Sequence, residues 1–107
     1  MIMQLEDSPE LKRLKSKMTV ELLWLYILSI LKKEDMHAYA LRSAIQKRFG
    51  FLPGNVTAYV VLYKLQSRGF VKKKAIGNRV VYSITPNGKK LIKSAEKFIL
   101  CTLKSLK

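Results

Sequence analysis

Two residues, Gly77-Asn78, constrain this chain more than any others. They spell a hairpin turn, because a two-residue loop needs backbone angles that Gly and Asn adopt at little cost. Phe70-Val71-Lys72-Lys73-Lys74-Ala75 precedes the turn and Arg79-Val80-Val81-Tyr82-Ser83-Ile84 follows it. The second run carries the β-branched and aromatic residues that strands favour. All other punctuation is helical. Ser8-Pro9-Glu10 combines a hydroxyl cap, a proline at the first helical position and an acid in the first turn, and Leu11, Leu14 and Met18 follow at helical spacing. Thr19 is placed to cap a second helix over about 20–31, apolar on most faces and therefore expected to be central and buried. A third helix, about 37–49, repeats Ala38, Leu41, Ala44 or Ile45, and Phe49, and stops at Gly50. After the turn Phe51-Leu52-Pro53-Gly54, Asn55 is placed to cap a fourth helix that ends near Arg68, with Gly69 as its left-handed stop. Thr85-Pro86 opens a last helix whose apolar stripe is Leu91, Ile92, Ala95, Phe98, Ile99, Leu103 and Leu106.

Four helices, one hairpin and a final helix in 107 residues imply a mainly α chain with a small two-stranded β-wing. This order predicts a winged helix-turn-helix over 18–85. An N-terminal helix over 1–17 precedes it, and a long C-terminal dimerisation helix over 86–107 follows. A winged unit can cover only part of the last helix's stripe, and the uncovered apolar area favours pairing with a second copy. Leu11 and Leu14 are the expected complement, and a two-fold dimer would set two reading helices about 34 Å apart.

The charge is segregated. Of 21 Lys+Arg and 7 Asp+Glu, residues 1–35 hold six of each sign, whereas residues 36–107 carry the whole net charge of +14. No acid occurs between Met36 and Lys90. A solvated surface usually mixes both signs, so this depletion points to a large polyanion, with double-stranded DNA first. Generic basicity for solubility is the blander alternative.

On a helical wheel, Ala58, Val61, Leu62 and Leu65 of the fourth helix turn inward. Val56, Val60, Tyr63 and Ser67 collect opposite, flanked by Thr57, Tyr59 and Lys64. Apolar side chains on such a face suit thymine methyls in a major groove, while Asn55 and Thr57 can bond base edges or phosphates. The alternative is that Val56 and Val60 pack beneath another segment. Lys72, Lys73 and Lys74 would neutralise phosphates, and Asn78 and Arg79 at the hairpin tip are placed for a minor groove. Charged strands also discourage edge pairing.

Other chemistry is poorly supplied. One His and one Cys exclude an intramolecular disulfide and a His-rich metal site, and no acid–base constellation suggests an enzyme. No cofactor is implied. Cys101 reads as a small buried hydrophobe, Trp24 as core or as a stacking platform for a planar effector. The longest apolar run, around 22–31, is too short to span a bilayer, so no membrane is expected and the chain reads as a soluble, cytoplasmic protein.

With these elements placed, the sequence resembles the PadR family of transcription regulators. His37-Ala38-Tyr39-Ala40-Leu41 is similar to that family's His-Gly-Tyr-Glu-Leu. Thr57-Ala58-Tyr59-Val60-Val61-Leu62 with Gly69-Phe70-Val71 is similar to its recognition helix and strand entry. Tyr82-Ser83-Ile84-Thr85-Pro86-Asn87-Gly88 matches its Tyr-x-Leu-Thr-Pro-x-Gly. Ala38 and Val56 stand where the family has Gly, and Val60 where it has Pro. The resemblance implies a homodimeric, repressor-like regulator of a palindromic operator, with Tyr39 and Tyr59 near the DNA backbone and His37 beside them. It also implies pairing through the C-terminal helix and, in some members, an aromatic effector at the dimer interface. The alternatives from other classes are a winged-helix protein-interaction module and a non-specific architectural DNA-binding protein.

Overall fold

A computed structural model describes residues 8–107, so the first seven residues of the expected N-terminal helix lie outside the described residues. The elements are α1 (Pro9–Lys17), a 3-10 turn (Val20–Leu22), α2 (Leu23–Leu31), α3 (Ala38–Phe49), α4 (Asn55–Ser67), β1 (Val71–Ile76), β2 (Arg79–Ile84) and α5 (Pro86–Leu106). This is a winged helix: α2, α3 and α4 enclose the core, and β1 and β2 form the wing.

Local signals explain most boundaries. Ser8 caps α1, its Oγ accepting from Leu11 N at 3.2 Å. Thr85 caps α5, accepting from Gly88 N at 3.1 Å. The hairpin register is Ile76 opposite Arg79, which leaves Gly77-Asn78 as a two-residue loop with φ +62° at Gly77. Two expectations are corrected. The second helix does not run unbroken from Val20, because Thr19 makes no cap bond to it; the Thr19 hydroxyl donates back to Ser16 O at 2.9 Å, and a 3-10 turn intervenes. Asn55 is not the cap of α4 but its first residue; extended Gly54 stands at the cap without a side-chain bond.

Leu23, Ile27, Leu28 and Leu31 of α2 are fully buried and meet Leu41 and Ile45 of α3, Leu62 of α4 and Ile92 of α5. Each such side chain contributes about 1.5–3 kcal/mol when removed from water. Tyr26 links this core to the helical ends. Its ring lies 4.4 Å from Phe49 and 5.7 Å from Phe51, and its hydroxyl donates to the carbonyl of Met18. Burial pushes the Tyr26 pKa up, so that donor stays protonated at neutral pH.

The wing is tied down at its base. Met36 pairs with Tyr82 along the outer edge of β2, with N–H···O distances of 3.1 and 2.8 Å. At the other edge, Thr85 N donates to Phe70 O at 3.1 Å and the Thr85 hydroxyl donates to Gly69 O at 2.6 Å. The end of α4, both strands and the start of α5 therefore meet in one clasp. Gly88 completes it by having no side chain: a Cβ there would strike the Phe70 carbonyl oxygen and come within 2.7 Å of Ile84 Cγ1.

Gly88→Ala should cost about 1–3 kcal/mol, the range for overpacking, read as a lowered melting temperature. Ser83 gives the opposite expectation. It is buried, and its hydroxyl has no partner. Ser83→Ala removes an unsatisfied group and should leave stability equal or higher by about 1 kcal/mol in chemical denaturation.

Candidate nucleic-acid interface

Helix α4 is held by an apolar underside and an anchored approach. Ala58, Leu62 and Leu65 are buried, with Val61 half-buried beside them. The preceding turn is pinned where Arg42 of α3 donates its Nε–H to the carbonyl of Pro53 at 2.9 Å. The first backbone N–H groups of α4 lack a side-chain cap, which leaves them available to an anion.

The opposite face of α4 is open. Val56 is 76% exposed and Tyr63 71%, with Val60 and Tyr59 about half exposed. Together with Asn55 and Lys64 they line a shallow, mainly apolar groove of about 420 Å³. Among the described residues, the two valines therefore do not pack beneath another segment. Thr57 is half-buried.

A second hollow of about 500 Å³ lies between the start of α3, α4 and the wing. Its walls include His37, Tyr39, Tyr59, Lys73, Arg79, Val80 and Tyr82. Tyr39 is 73% exposed. Tyr59 borders both hollows and joins them into one surface. His37 is the cap of α3: its Nδ1 accepts from Ala40 N at 3.3 Å. In the neutral ring the proton then sits on Nε2, which makes that nitrogen a donor. The Tyr82 pKa is raised, chiefly by burial and secondarily by Tyr59, so its hydroxyl stays neutral.

The three wing lysines separate. Lys73 pairs across the hairpin with Tyr82 and looks into the second hollow. Lys72 and Lys74 pair with Ser83 and Val81 and take the other face. Lys74 Nζ lies 3.5 Å from Asp35 Oδ2, so part of its charge is already met. Asn78 is exposed at the tip of the hairpin turn. Sequence reasoning missed Arg42, Val80 and Tyr82. The latter two were recoverable, since a two-residue turn at Gly77-Asn78 dictates which strand residues share a face with Lys73.

The residues expected to pair two copies divide as well. Leu14, Phe98, Ile99, Leu103 and Leu106 are exposed; Leu11, Leu91 and Ala95 are half-buried. Ile92 is corrected: it is 2% exposed, because it faces α2 and closes this chain's own core. Cys101 is likewise corrected from buried to exposed; it lies opposite the apolar stripe of α5. Trp24 packs against the core by one side and by the other lines a cleft of about 440 Å³ with Val61, Leu65, Phe70 and Leu91.

A winged helix with this basic, acid-free face belongs to the class of DNA-binding transcription regulators rather than enzymes. The family model of the transcriptional regulator PadR-like family matches residues 27–94, and the chain is a member of that family. Among solved structures it is similar to a transcriptional regulator from Clostridium thermocellum, 23% identical over 92% of this chain and 93% of that one, with a TM-score of 0.74. It is also similar to a PadR family transcription regulator from Clostridium difficile R20291, 22% identical over 79% and 97%, at 0.69. A PadR family regulator from Eggerthella lenta DSM 2243 is 18% identical over 97% and 90%, at 0.74. These likenesses show the shared fold. No curated protein matches the sequence. Among the described residues no helix is long and apolar enough to cross a membrane, and no group of side chains could hold a metal ion.

The raised pKa values fix the sign of a pH effect. An unfolded tyrosine ionises near pH 10 while native Tyr26 and Tyr82 still hold their protons. Stability should therefore be insensitive to these groups below pH 10 and fall as pH rises above it, measurable by urea unfolding across that range.

Proposed function

We propose that the chain is a homodimeric, sequence-specific repressor that sets α4 in the major groove of each half of a palindromic operator and the wing on the flanking backbone. The observation that carries the reading is the exposed face of α4, where Val56, Val60 and Tyr63 meet solvent beside Tyr39 and Tyr59. A face of this composition is costly to hydrate and suits the methyl-bearing edge of a groove. Asn55, Thr57 and Lys64 supply polar contacts at its margin, and Lys73, Arg79 and Asn78 extend it onto the wing. His37 would donate Nε2–H, and Tyr39 and Tyr59 their hydroxyls, to phosphate oxygens.

Dimerisation supports the reading from a separate direction. From Lys97 onward every residue of α5 is exposed, including Phe98, Ile99, Leu103 and Leu106, and α1 buries none of its own residues. Two such stripes hide each other at roughly 25 cal/mol per Å², with Leu11 and Leu14 alongside. A small aromatic effector belongs to the same proposal: the Trp24 cleft opens beside Leu91 at the root of α5, where a ligand would bear on both packing partners.

Tyr63→Ala should weaken operator binding by about 1–3 kcal/mol while leaving random duplexes nearly unaffected. Equal losses on both would remove α4 as the reader. Binding should weaken with salt, log K falling about 0.9 per phosphate contact per decade. Lys73→Gln should flatten that slope more than Lys74→Gln, whose partner Asp35 already offsets it. Sedimentation should give twice the chain mass, and Phe98→Glu with Leu103→Glu should give a single one.

A further inference from the structure

The charge of this chain exceeds what its reading face displays, and part of the surplus is gathered on one flank of α5. Lys89, Lys90, Lys93, Lys97 and Lys104 fall within a sector of about 100° on that helix and are all exposed. The one acid of α5, Glu96, is held by Lys32 Nζ at 2.9 Å, and among the described residues none of the five lysines is paired with a carboxylate. Like charges gathered in this way raise the energy of a chain that has no use for them.

The position of this ridge separates it from the α4 face. Leu91 turns toward the Trp24 cleft and the α4 residues Val61 and Leu65. Ile92 turns into the core. Lys89 and Lys93 turn the other way, to a depression bordered by Lys32 and Glu96 at the end of α2. The lysines thus lie on the flank of α5 turned away from α4. They also lie outside the sector of Ala95, Phe98, Ile99, Leu103 and Leu106, so pairing of two copies leaves the ridge open. From Lys89 to Lys104 it extends about 22 Å. A duplex alongside offers one phosphate charge per roughly 1.7 Å, on the order of a dozen over that length.

We propose that this ridge is a second DNA-binding face, which holds the backbone of a duplex segment other than the one read by α4, so that one dimer joins two segments of DNA. The proposal rests on the reading above for its first face but not for sequence specificity. The ridge presents ammonium groups on flexible stems, with Leu100 the one apolar side chain among them and no bidentate group, so it engages phosphates without regard to sequence. DNA is favoured over an acidic protein because the ridge is straight and offers a single exposed apolar side chain, Leu100, among its lysines, whereas protein interfaces bury an apolar core.

The test uses the full chain and two random-sequence duplexes, one immobilised and one fluorescent, so that operator recognition plays no part. The wild-type protein is expected to recruit the fluorescent duplex to the immobilised one. The variant Lys89→Gln/Lys93→Gln/Lys97→Gln/Lys104→Gln should lose about ten-fold or more of that recruitment. Its affinity for a single short duplex should stay within about two-fold, and the four Lys→Arg replacements should keep recruitment intact. Circular dichroism confirms that the variant is folded. Absence of recruitment by the wild type, or equal recruitment by the Gln variant, overturns the proposal. So does retention of polyglutamate, but not duplex, by the wild type alone. Failure of Tyr63→Ala to discriminate operator from random DNA would instead count against α4 as reader and leave the ridge untouched.

Discussion

The structure depends on the clasp at the base of the wing. Thr85 both caps α5 and donates to the backbone that leaves α4, and Gly88 lets the Phe70 carbonyl approach where any side chain would stand. Through this contact four elements share one origin. The wing cannot rotate relative to α4 without breaking hydrogen bonds at Gly69 and Phe70, and α5 cannot leave without uncapping itself. The Met36–Tyr82 bridge holds the opposite edge of the hairpin. The result is a rigid angle between Lys73 and Tyr59, which come from different elements and share one hollow.

Against that rigid body, two surfaces stand out among those left with apolar side chains in water. One is α4, the other the outer half of α5. A monomer that stops here is incomplete on both, and each surface has a shape that suggests its cover: a convex helix beside basic strands for a groove, and a straight amphipathic helix for a copy of itself. The lysines of α5 form a third, mainly ionic surface, with Leu100 exposed among them. The core residue Ile92, the exposed apolar stripe and most of the charge occupy different sectors of one helix. Ile92 faces inward, Phe98 outward along the stripe, and Lys93 away from both.

Much of the architecture was legible because local chemistry is short-ranged. Ser8, Thr85, Gly50 and the Gly77-Asn78 turn act within three or four residues, and each does what its type demands. The inward face of α4 follows from helical periodicity alone. Local reasoning went astray where a residue had two partners to choose from. Thr19 bonds backward to Ser16 rather than forward into α2. Ile92 belongs to the pairing stripe by spacing, but only packing reveals that α2 takes it. Cys101 looked like core by type, yet is exposed on the outer half of α5, which none of the other described elements covers.

The sequence by itself determined the order and kind of elements, the acid-free basic segment and the faces of each helix, because caps, turn residues and periodicity are properties of neighbours along the chain. Tertiary structure alone decided which of those faces remain open. It placed Lys73 with Tyr39 and Tyr59, gave Lys74 to Asp35, and turned the lysines of α5 away from α4. Those outcomes depend on distances between segments remote in sequence, which the packing of α2 and the clasp at the base of the wing set together.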